Sequence, residues 1–307
     1  MSRSRAGKHA SQPLLPYKRS DLAQPFLKWA GGKRQLLHEI RKYVPREFGT
    51  YFEPFVGAGA VLFDLQPARA VINDANRELI NCYRVIKHNP EELVRLADEH
   101  ERNDSKGYFE WLRDRDREPG LHALTAEERA ARVIYLNKTC FNGLYRVNKR
   151  GLFNVPYRKH KKPPQIVNPE VIHAVSRYLN EARVKISGGD FKRAVAAARN
   201  GDFVYFDPPY HPVSDSASFT SYASGGFGEE EQRKLKAVCD DLTARGCRVL
   251  LSNSATKFIR DLFDNPERYT VREVKARRNI NSVGTGRGKV GELLIYNNYD
   301  VPKAQQE

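Results

Sequence analysis

The sequence predicts an α/β fold in which helices flank a mostly parallel β-sheet and a mainly helical lobe is inserted into the chain. Seven strand-like runs alternate with helical patterns, and such alternation requires crossover connections between parallel strands. The alternation stops between about residues 89 and 180, where charge-rich helical patterns follow one another without a strand. We therefore expect an insertion between the second and third strands.

The predicted strands are short runs rich in aromatic and β-branched residues, which fill a pleated and packed surface. They lie at Tyr51–Pro54, Ala70–Asn73, Arg183–Ser187, Asp202–Asp207, Arg248–Ser252, Tyr269–Val274 and Glu292–Asn298. Helical patterns lie at Asn76–Lys87 and Glu229–Arg245, and those of the lobe lie at Glu91–Glu101, Ala126–Lys138 and Pro169–Asn180. The predicted organisation is a sheet domain over residues 23–88 and 181–300, the lobe at 89–180, a disordered basic tail at 1–22 and a second tail at 301–307.

The chain is strongly basic, with 52 Lys and Arg against 37 acidic residues in 307 and a formal net charge of +15. This imbalance favours a polyanionic partner, although a solvated basic surface gives the same count. Four cysteines without a CxxC pair indicate a reduced intracellular protein that has no zinc site. No apolar run approaches the roughly 18 residues of a membrane span, and the acid-poor start lacks the apolar stretch of a secretory signal.

The segment DFVYFDPPY, residues 202–210, places a carboxylate, two prolines and a tyrosine directly after a buried strand. Neither Pro208 nor Pro209 can donate a hydrogen bond to a neighbouring strand, so the chain leaves the sheet there. Ligands bind at this carboxyl edge in open α/β sheets, whereas an ordinary surface turn is the alternative. We expect the Asp207 carboxylate and the Pro208 carbonyl to accept the hydrogens of an aromatic amine, with the Tyr210 ring stacked on its base.

A glycine-containing turn, EPFVGAGA, follows the first predicted strand. Gly57 and Gly59 permit positive φ and a close backbone approach at a helix start, which suits a nucleoside; a simple bend is the alternative. Asp74 ends the next strand, where a carboxylate can accept hydrogen bonds from both ribose hydroxyls. The third glycine of a pyrophosphate-binding loop is missing, so we expect a nucleoside without phosphates over Gly57 and Gly59. A sulfonium methyl donor meets this requirement.

Two further segments are candidates for ligand contacts. FLKWAGGKRQLL resembles part of a phosphate loop, but Arg34 stands where that motif needs Ser or Thr, which argues against an NTPase. A hydrophobic anchor at Trp29 followed by a helix start is the alternative for this segment. In SGGDF, Asp190 and Phe191 suit the amine and the ring face of a purine, while Asp190 also suits the N-cap of a following helix.

In this order, FLKWAGGK, EPFVGAGA, IND, GDF and YFDPPY resemble the DNA adenine-N6 methyltransferases of the Dam type over roughly residues 24–299. The resemblance implies a Rossmann-like methyltransferase sheet and S-adenosylmethionine as methyl donor. It also implies that Asp207, Pro208, Pro209 and Tyr210 form the catalytic motif. The implied cofactor contacts are Trp29, Lys33, Glu53, Phe55, Gly57, Gly59, Asp74 on the ribose, Asp190 and Phe191 at the adenine ring, and Asp207.

The same resemblance implies that the lobe contacts double-stranded DNA through a hairpin at Asn142–Pro156, within NKTCFNGLYRVNKRGLFNVPY. Arg146 would contact guanine O6 and N7 in the major groove, with Leu144 and Pro156 packed against neighbouring bases. Asn142 would meet the backbone or the space left by an extruded base. The other implied DNA contacts, for which solvated loop charge is the alternative, are Asn148, Lys149, Arg150, Lys159, Lys161, Lys162 and the stretch Arg277–Lys289.

This interpretation requires base flipping, because an adenine inside a duplex cannot present its amine to a pocket at a sheet edge. The resemblance, chiefly at Leu144 and Arg146, implies GATC as the site, while a related site that begins with GA stays open. We expect a cytoplasmic enzyme of bacterial or phage origin that acts as a monomer without an obligatory protein partner, either alone or with a restriction enzyme. The alternatives are an RNA or glutamine-amide methyltransferase, which commonly has Asn-Pro-Pro-Tyr, and a basic DNA-binding module without activity.

Overall fold

The computed structural model describes residues 19–117, 123–160, 164–212, 227–276 and 290–301, which form one sheet with helices around it. The strands are β1 (Tyr51–Glu53), β2 (Ala70–Asp74), β3 (Lys185–Gly188), β4 (Phe203–Phe206), β5 (Arg248–Ser254), β6 (Thr270–Ala276) and β7 (Val290–Tyr296). Their order is β3-β2-β1-β4-β5-β7-β6. The first five pair in parallel, and β7 pairs antiparallel with β5 and β6. The predicted mostly parallel sheet is confirmed.

Helices cover both faces of the sheet. They are α1 (Leu37–Arg41), α2 (Ala60–Leu65), α3 (Arg77–His88), α4 (Pro90–Arg102), α5 (Lys106–Asp114), α6 (Ala126–Thr139), α7 (Pro169–Glu181), α8 (Phe191–Ala194), α9 (Glu229–Ala244) and α10 (Lys257–Leu262). Successive side chains of a strand point to opposite faces. On β4, Phe203 and Tyr205 accordingly join a buried cluster with helices α1 to α7, whereas Val204 and Phe206 join a second cluster with α9 and α10.

Helices α4 to α7 follow one another between β2 and β3, at the position of the expected insertion. Their buried side chains belong to the same cluster as one face of the sheet, so these helices pack directly on the sheet domain. Helix α5 was not predicted. Its buried residues, Phe109 and Leu112, have the spacing of one helix face, so the signal was present in the sequence but was not used.

A buried ion pair fixes α6 to the end of α5 and the residues after it, and Asp116 extends this contact to the hairpin. Arg132 Nη2 lies 3.0 Å from Asp116 Oδ2, and both side chains are almost inaccessible to solvent. The same carboxylate accepts a hydrogen bond of 2.7 Å from the Phe153 backbone N–H, while Arg132 Nε donates to the Leu112 carbonyl. Burial lowers the pKa of Arg132, and the charge of Asp116 opposes that effect. Loss of Asp116 would leave the Arg132 charge buried without its carboxylate, whereas loss of Arg132 would leave Asp116 paired only with the half-exposed Arg117.

The N-terminal segment makes its first described contacts at the end of α2. The Ser20 N–H donates to Gln66 Oε1 at 3.0 Å, and Gln66 Nε2 donates to the Ser20 carbonyl at 2.8 Å. Arg19 also donates to the Asp64 carbonyl, so contact with the rest of the protein begins three residues before the predicted end of the tail at residue 22. Residues 1–18 and 302–307 lie outside the described part of the chain. No helix in the described ranges combines the length and apolarity needed to cross a membrane.

Candidate active site and nucleic-acid interface

The carboxyl ends of β1, β2 and β3 are joined by one buried side chain, Asn73. Its Nδ2 donates to the carbonyls of Pro54 and Gly189 at 3.0 Å each, and its backbone carbonyl accepts from the Val56 N–H at 2.9 Å. Because the side-chain amide has two donors and the backbone adds an acceptor, one residue fixes three strand ends at the same edge. This edge carries the residues that the sequence singled out.

The turn after β1 has the backbone geometry predicted for it. Gly57 has φ +50° and Gly59 has φ +73°, a left-handed region that glycine enters without penalty. A Cβ atom at Gly57 would lie 3.0 Å from Trp29 Cδ1, and one at Gly59 would lie 2.7 Å from Tyr83 Oη. Asp74 braces the turn, because its Oδ2 accepts from the Gly57 N–H at 3.1 Å. The structure thus brings together Trp29, both glycines and Asp74.

The side chains predicted for a purine ring lie beside this turn. Phe55 and Phe191 are neighbours, with ring centroids 5.2 Å apart, and both rings contact Phe227. Asp190 is the N-cap of α8, where its Oδ1 accepts from the Lys192 N–H at 2.9 Å. The capping role foreseen for Asp190 is therefore confirmed, and its contact with a purine stays a prediction.

The catalytic motif lies at the carboxyl end of β4 within a cluster of charges, which we call the Asp207 cluster: Lys33, Asp207, Tyr210 and Glu292. Lys33 is buried, and its Nζ lies 2.7 Å from Asp207 Oδ1 and 3.9 Å from Glu292 Oε1. The same ammonium lies 4.7 Å from the centroid of the Tyr210 ring, whose hydroxyl donates to Glu292. The structure places Lys33, which the resemblance assigned to the cofactor, directly on the Asp207 carboxylate.

Burial and the neighbouring cation have opposite effects on Asp207. Burial raises the pKa of Asp207, while the charge and hydrogen bond of Lys33 and the proximity of the Tyr210 hydroxyl lower it. Glu53 lies beneath the cluster and is buried, and its Oε2 accepts from the Tyr51 hydroxyl at 2.8 Å. Burial raises the pKa of Glu53 well above its usual range, and the charge of Asp207 adds to this rise. Lys33 is thus the cation that favours a charged Asp207.

The turn after Asp207 is held by two buried amides. Gln232 Nε2 donates to the Pro209 carbonyl at 2.9 Å, and Asn253 Nδ2 donates to Gln232 Oε1 at 3.0 Å. Asn253 Oδ1 in turn accepts from the His211 N–H at 3.1 Å. These bonds fix the backbone of the motif. They use the Pro209 carbonyl and not that of Pro208.

Glu292, Gln232 and Asn253 were missed by the sequence analysis. Glu292 stands near the start of β7, opposite Ser254 at the end of β5, because these two strands are antiparallel. The amino end of β7 therefore lies at the same edge as the carboxyl ends of the parallel strands. A single acid before the apolar run LLIY was the available signal, but its meaning depends on the direction of the strand.

The segment Asn142–Pro156 forms a hairpin, as predicted, although the pairing of its two arms is irregular. Val147 pairs with Phe153 across the antiparallel arms, and the Asn154 N–H donates to the Arg146 carbonyl at 3.1 Å. Asn154 also holds the exposed Arg146 side chain, since Arg146 Nε donates to Asn154 Oδ1 at 2.8 Å. Asn148 closes the tip, where its Oδ1 accepts from two backbone N–H groups. The guanidinium is therefore oriented before any ligand binds.

The other predicted DNA contacts differ in exposure. Asn142, in the left-handed region at φ +58°, is exposed, and so is Phe141 beside it at 54%. Leu144 is half-buried and packs against the core, so only part of it is available to a base. The side chains of Lys149, Arg150, Pro156 and Lys159 are exposed. Lys161, Lys162, the stretch at 277–289 and residues 213–222 of the loop after the motif lie outside the described residues.

Three cations near the base of the hairpin were not predicted as site residues. Burial lowers the pKa of Lys138 at the end of α6, and the charges of Lys28 and Arg34 lower it further. Lys28 and Arg34 are exposed and flank the segment that contains Trp29 and Lys33. Positive charge therefore extends from the hairpin toward the Asp207 cluster.

Comparisons with known proteins agree with this geometry. A model of the family "D12 class N6 adenine-specific DNA methyltransferase" matches residues 29–280. The type II methyltransferase M1.LlaDCHI of Lactococcus lactis subsp. cremoris is 45% identical over 274 residues, 89% of this chain and 95% of that protein. The type II methyltransferase M.MjaIII of Methanocaldococcus jannaschii is 40% identical, covering 89% and 99%. The DNA adenine methylase of Escherichia coli K12 is 37% identical, covering 88% and 93%.

These similarities confirm the family that the motifs indicated and, with it, an enzyme that acts on DNA. Enzymes of this class use S-adenosylmethionine as their methyl donor. The chain belongs to the D12 class of N6 adenine-specific DNA methyltransferases.

Proposed function

We propose that this enzyme methylates adenine N6 at GATC in double-stranded DNA after it has extruded the target base. The observation that carries the proposal is the Asp207 cluster: a carboxylate at the end of β4, paired at 2.7 Å with a buried lysine and set beside the glycine turn. An acceptor of this kind, at a sheet edge that also suits a nucleoside, meets the needs of amine methylation.

The residues beside the turn fit S-adenosylmethionine. No room exists for a side chain at Gly57 or Gly59, so the backbone can approach a ligand closely, and the Asp74 carboxylate lies at the same turn. Phe55 and Phe191 offer apolar ring faces. We assign ligand contacts to Trp29, Glu53, Phe55, Gly57, Gly59, Asp74, Asp190 and Phe191. The bound cofactor supplies an electrophilic methyl carbon.

The chain itself supplies acceptors for the amine. The lone pair of adenine N6 is delocalised into the ring, and hydrogen bonds from N6 to Asp207 and to the Pro208 carbonyl favour a tetrahedral nitrogen. Lys33 keeps Asp207 in the charged form that accepts such bonds. Glu292 holds the Tyr210 hydroxyl, so the ring of Tyr210 is oriented for stacking.

The hairpin is suited to sequence recognition. We assign guanine contact to Arg146, whose guanidinium is already held by Asn154. The exposed ring of Phe141, next to Asn142, suits insertion between bases and would favour extrusion of the adenine. Contacts to phosphates or flanking bases are assigned to Lys28, Arg34, Lys138, Leu144, Asn148, Lys149, Arg150, Pro156, Lys159 and Lys161. We further propose a monomer on DNA, acting in the cytoplasm of a bacterium or phage-infected cell.

The experiment is expression in a host that lacks DNA methylation, followed by long-read sequencing of its DNA. Methylated adenine at nearly every GATC is the expected result, and the variant Asp207→Ala should leave the same sites unmodified. Methylation at another site would refute GATC while leaving the chemistry intact. Transfer of tritiated methyl groups to RNA or protein, and not to plasmid DNA, would refute the proposed substrate.

A further inference from the structure

Tyr145 of the hairpin lies against the residues that line the glycine turn. Its ring stacks on Trp29, with centroids 5.1 Å apart and an interplanar angle of 23°. The Trp29 indole also lies next to Gly57, where a Cβ atom would lie 3.0 Å from Cδ1. Tyr145 also packs edge-on against Phe153 in the opposite arm of the hairpin. The indole is therefore enclosed between the hairpin and the turn.

Tyr145 also lies close to a second residue at the same edge, Asn76. Burial raises the pKa of the Tyr145 hydroxyl to about 12, and the neighbouring Asn76 side chain opposes this rise. Asn76 caps α3, and its backbone N–H donates to Asp74 Oδ1 at 2.9 Å. One hairpin side chain thus contacts Trp29 directly and reaches Asp74 through Asn76.

A buried amide keeps the two backbones in register. Asn137 Oδ1 accepts from the Lys28 N–H at 2.9 Å, and its Nδ2 donates to the carbonyls of Lys28 and Gly143 at 2.8 Å each. Lys28 precedes Trp29 and Gly143 stands two residues before Tyr145, so Asn137 fixes the segments on which both rings are carried. A displacement of the hairpin is therefore transmitted to Trp29 through the stacked Tyr145 ring, because the two segments are tied together by Asn137.

We propose that Tyr145 is a positioning residue that couples DNA binding at the hairpin to cofactor binding at the glycine turn. The inference rests on the proposed function, in which the hairpin contacts DNA and the turn contacts S-adenosylmethionine. A hairpin held on DNA fixes the Tyr145 ring, and this fixes Trp29 against Gly57, so the first ligand orders part of the site for the second. Because such coupling is reciprocal, the cofactor must strengthen DNA binding by the same factor.

The test uses Trp29 as its own reporter. The chain has two tryptophans, and Trp111 is 56% exposed on α5, so Trp111→Phe leaves Trp29 as the single emitter. In this background, affinities for S-adenosylhomocysteine and for a GATC duplex are measured separately and together. We expect each ligand to increase the affinity of the protein for the other ligand by about fivefold or more. The duplex alone should also change the Trp29 emission.

Variants of the hairpin tyrosines separate coupling from stability. Tyr145→Leu keeps an apolar side chain of similar bulk but loses the stack and the hydroxyl. It should bring the coupling factor to about one and abolish the duplex-induced change in Trp29 emission. Tyr145→Phe should keep most of the coupling and most of the change in emission. Tyr157→Leu is the matched control, because Tyr157 directly follows the hairpin and pairs with Cys140 at its base, but it bonds Asp104 and packs on Phe109. Thermal unfolding of all three reports their fold.

The outcomes are distinct. Independent binding of the two ligands to the Trp111→Phe protein would overturn the inference, and this result needs no hairpin variant. Full coupling in Tyr145→Leu would also overturn it. Loss of coupling in Tyr157→Leu to the same extent would also overturn it, since the effect would then belong to hairpin order in general. Failure of the Trp111→Phe protein to bind S-adenosylhomocysteine or duplex at all would instead refute the proposed function.

Discussion

The pocket at the sheet edge and the recognition hairpin are built in different ways. The Asp207 cluster is buried and is assembled from segments that are far apart in the chain, with Lys33 near the start and Glu292 near the end. The hairpin orients its main predicted base contact by a local bond between exposed residues, Arg146 and Asn154. A change in the pocket should therefore reduce the rate at every site. A change in the hairpin should alter which site is chosen.

The largest effect is expected at Asp207. Asp207→Ala removes the acceptor for the amine, and loss of such a group costs about 10³-fold in rate. Asp207→Asn keeps one acceptor oxygen and should lose less. Single-turnover methylation of a GATC duplex measures both, and calorimetry with S-adenosylhomocysteine should show nearly unchanged cofactor affinity. An Asp207→Ala enzyme within tenfold of the native rate would contradict the role of the carboxylate.

A second large effect should be on stability and not on chemistry. Arg132→Met leaves Asp116 with only the half-exposed Arg117 as its cation and should lower the free energy of unfolding by about 3 kcal/mol, the lower end for a broken buried pair. Arg95→Met is the matched control, because its ion pairs with Glu92 and Glu99 are solvent-exposed, and it should unfold like the native chain. Urea denaturation measures both variants. Equal stability of the two would show that the buried pair does not anchor the hairpin.

Lys33→Met should change the pH dependence of the pocket. Lys33 lowers the pKa of Asp207, so its removal raises that pKa further. Asp207 must be charged to accept from the amine, and the acid limb of kcat/KM should therefore move to higher pH. Lys33→Arg keeps the positive charge and serves as the control, with a smaller displacement of that limb. An acid limb at the same pH in Lys33→Met would mean that another group governs it.

The smallest effects are expected in the hairpin. Arg146→Ala should reduce discrimination at the guanine by about 1–3 kcal/mol with little change in the maximal rate. Asn154→Ala, which only releases the guanidinium, should cost about 1 kcal/mol or less. Arg150→Ala at the tip is the control, because loss of a phosphate contact weakens binding to all sequences alike. Rates on duplexes with one substituted base pair measure these preferences, and an unchanged preference in Arg146→Ala would remove its assignment.

Local sequence signals were sufficient for much of the fold and part of the site. The prolines after β4, the glycines after β1 and Asp74 after β2 each mark a strand end, and parallel pairing brings such ends to one edge. The N-cap at Asp190 was visible for the same local reason. Domain boundaries were less exact, since Ser20 already pairs with Gln66 inside the predicted tail.

The contacts that were missed are those between distant segments. The pairing of Lys33 with Asp207 and the supports of the motif, Gln232 and Asn253, depend on which helix and strand lie beside β4. The place of Glu292 depends on the antiparallel direction of β7. These relations follow from the order of strands in the sheet, which no short motif in the chain encodes.

The most direct test is a crystal structure of the enzyme with S-adenosylhomocysteine and a GATC duplex. The account predicts an adenine turned out of the duplex, with N6 about 3 Å from the Asp207 carboxylate and its ring on Tyr210. Lys33 should remain paired with Asp207 Oδ1, so that the other carboxylate oxygen accepts from the amine. An adenine that remains stacked in the duplex, or an N6 that faces a group other than Asp207, would contradict it.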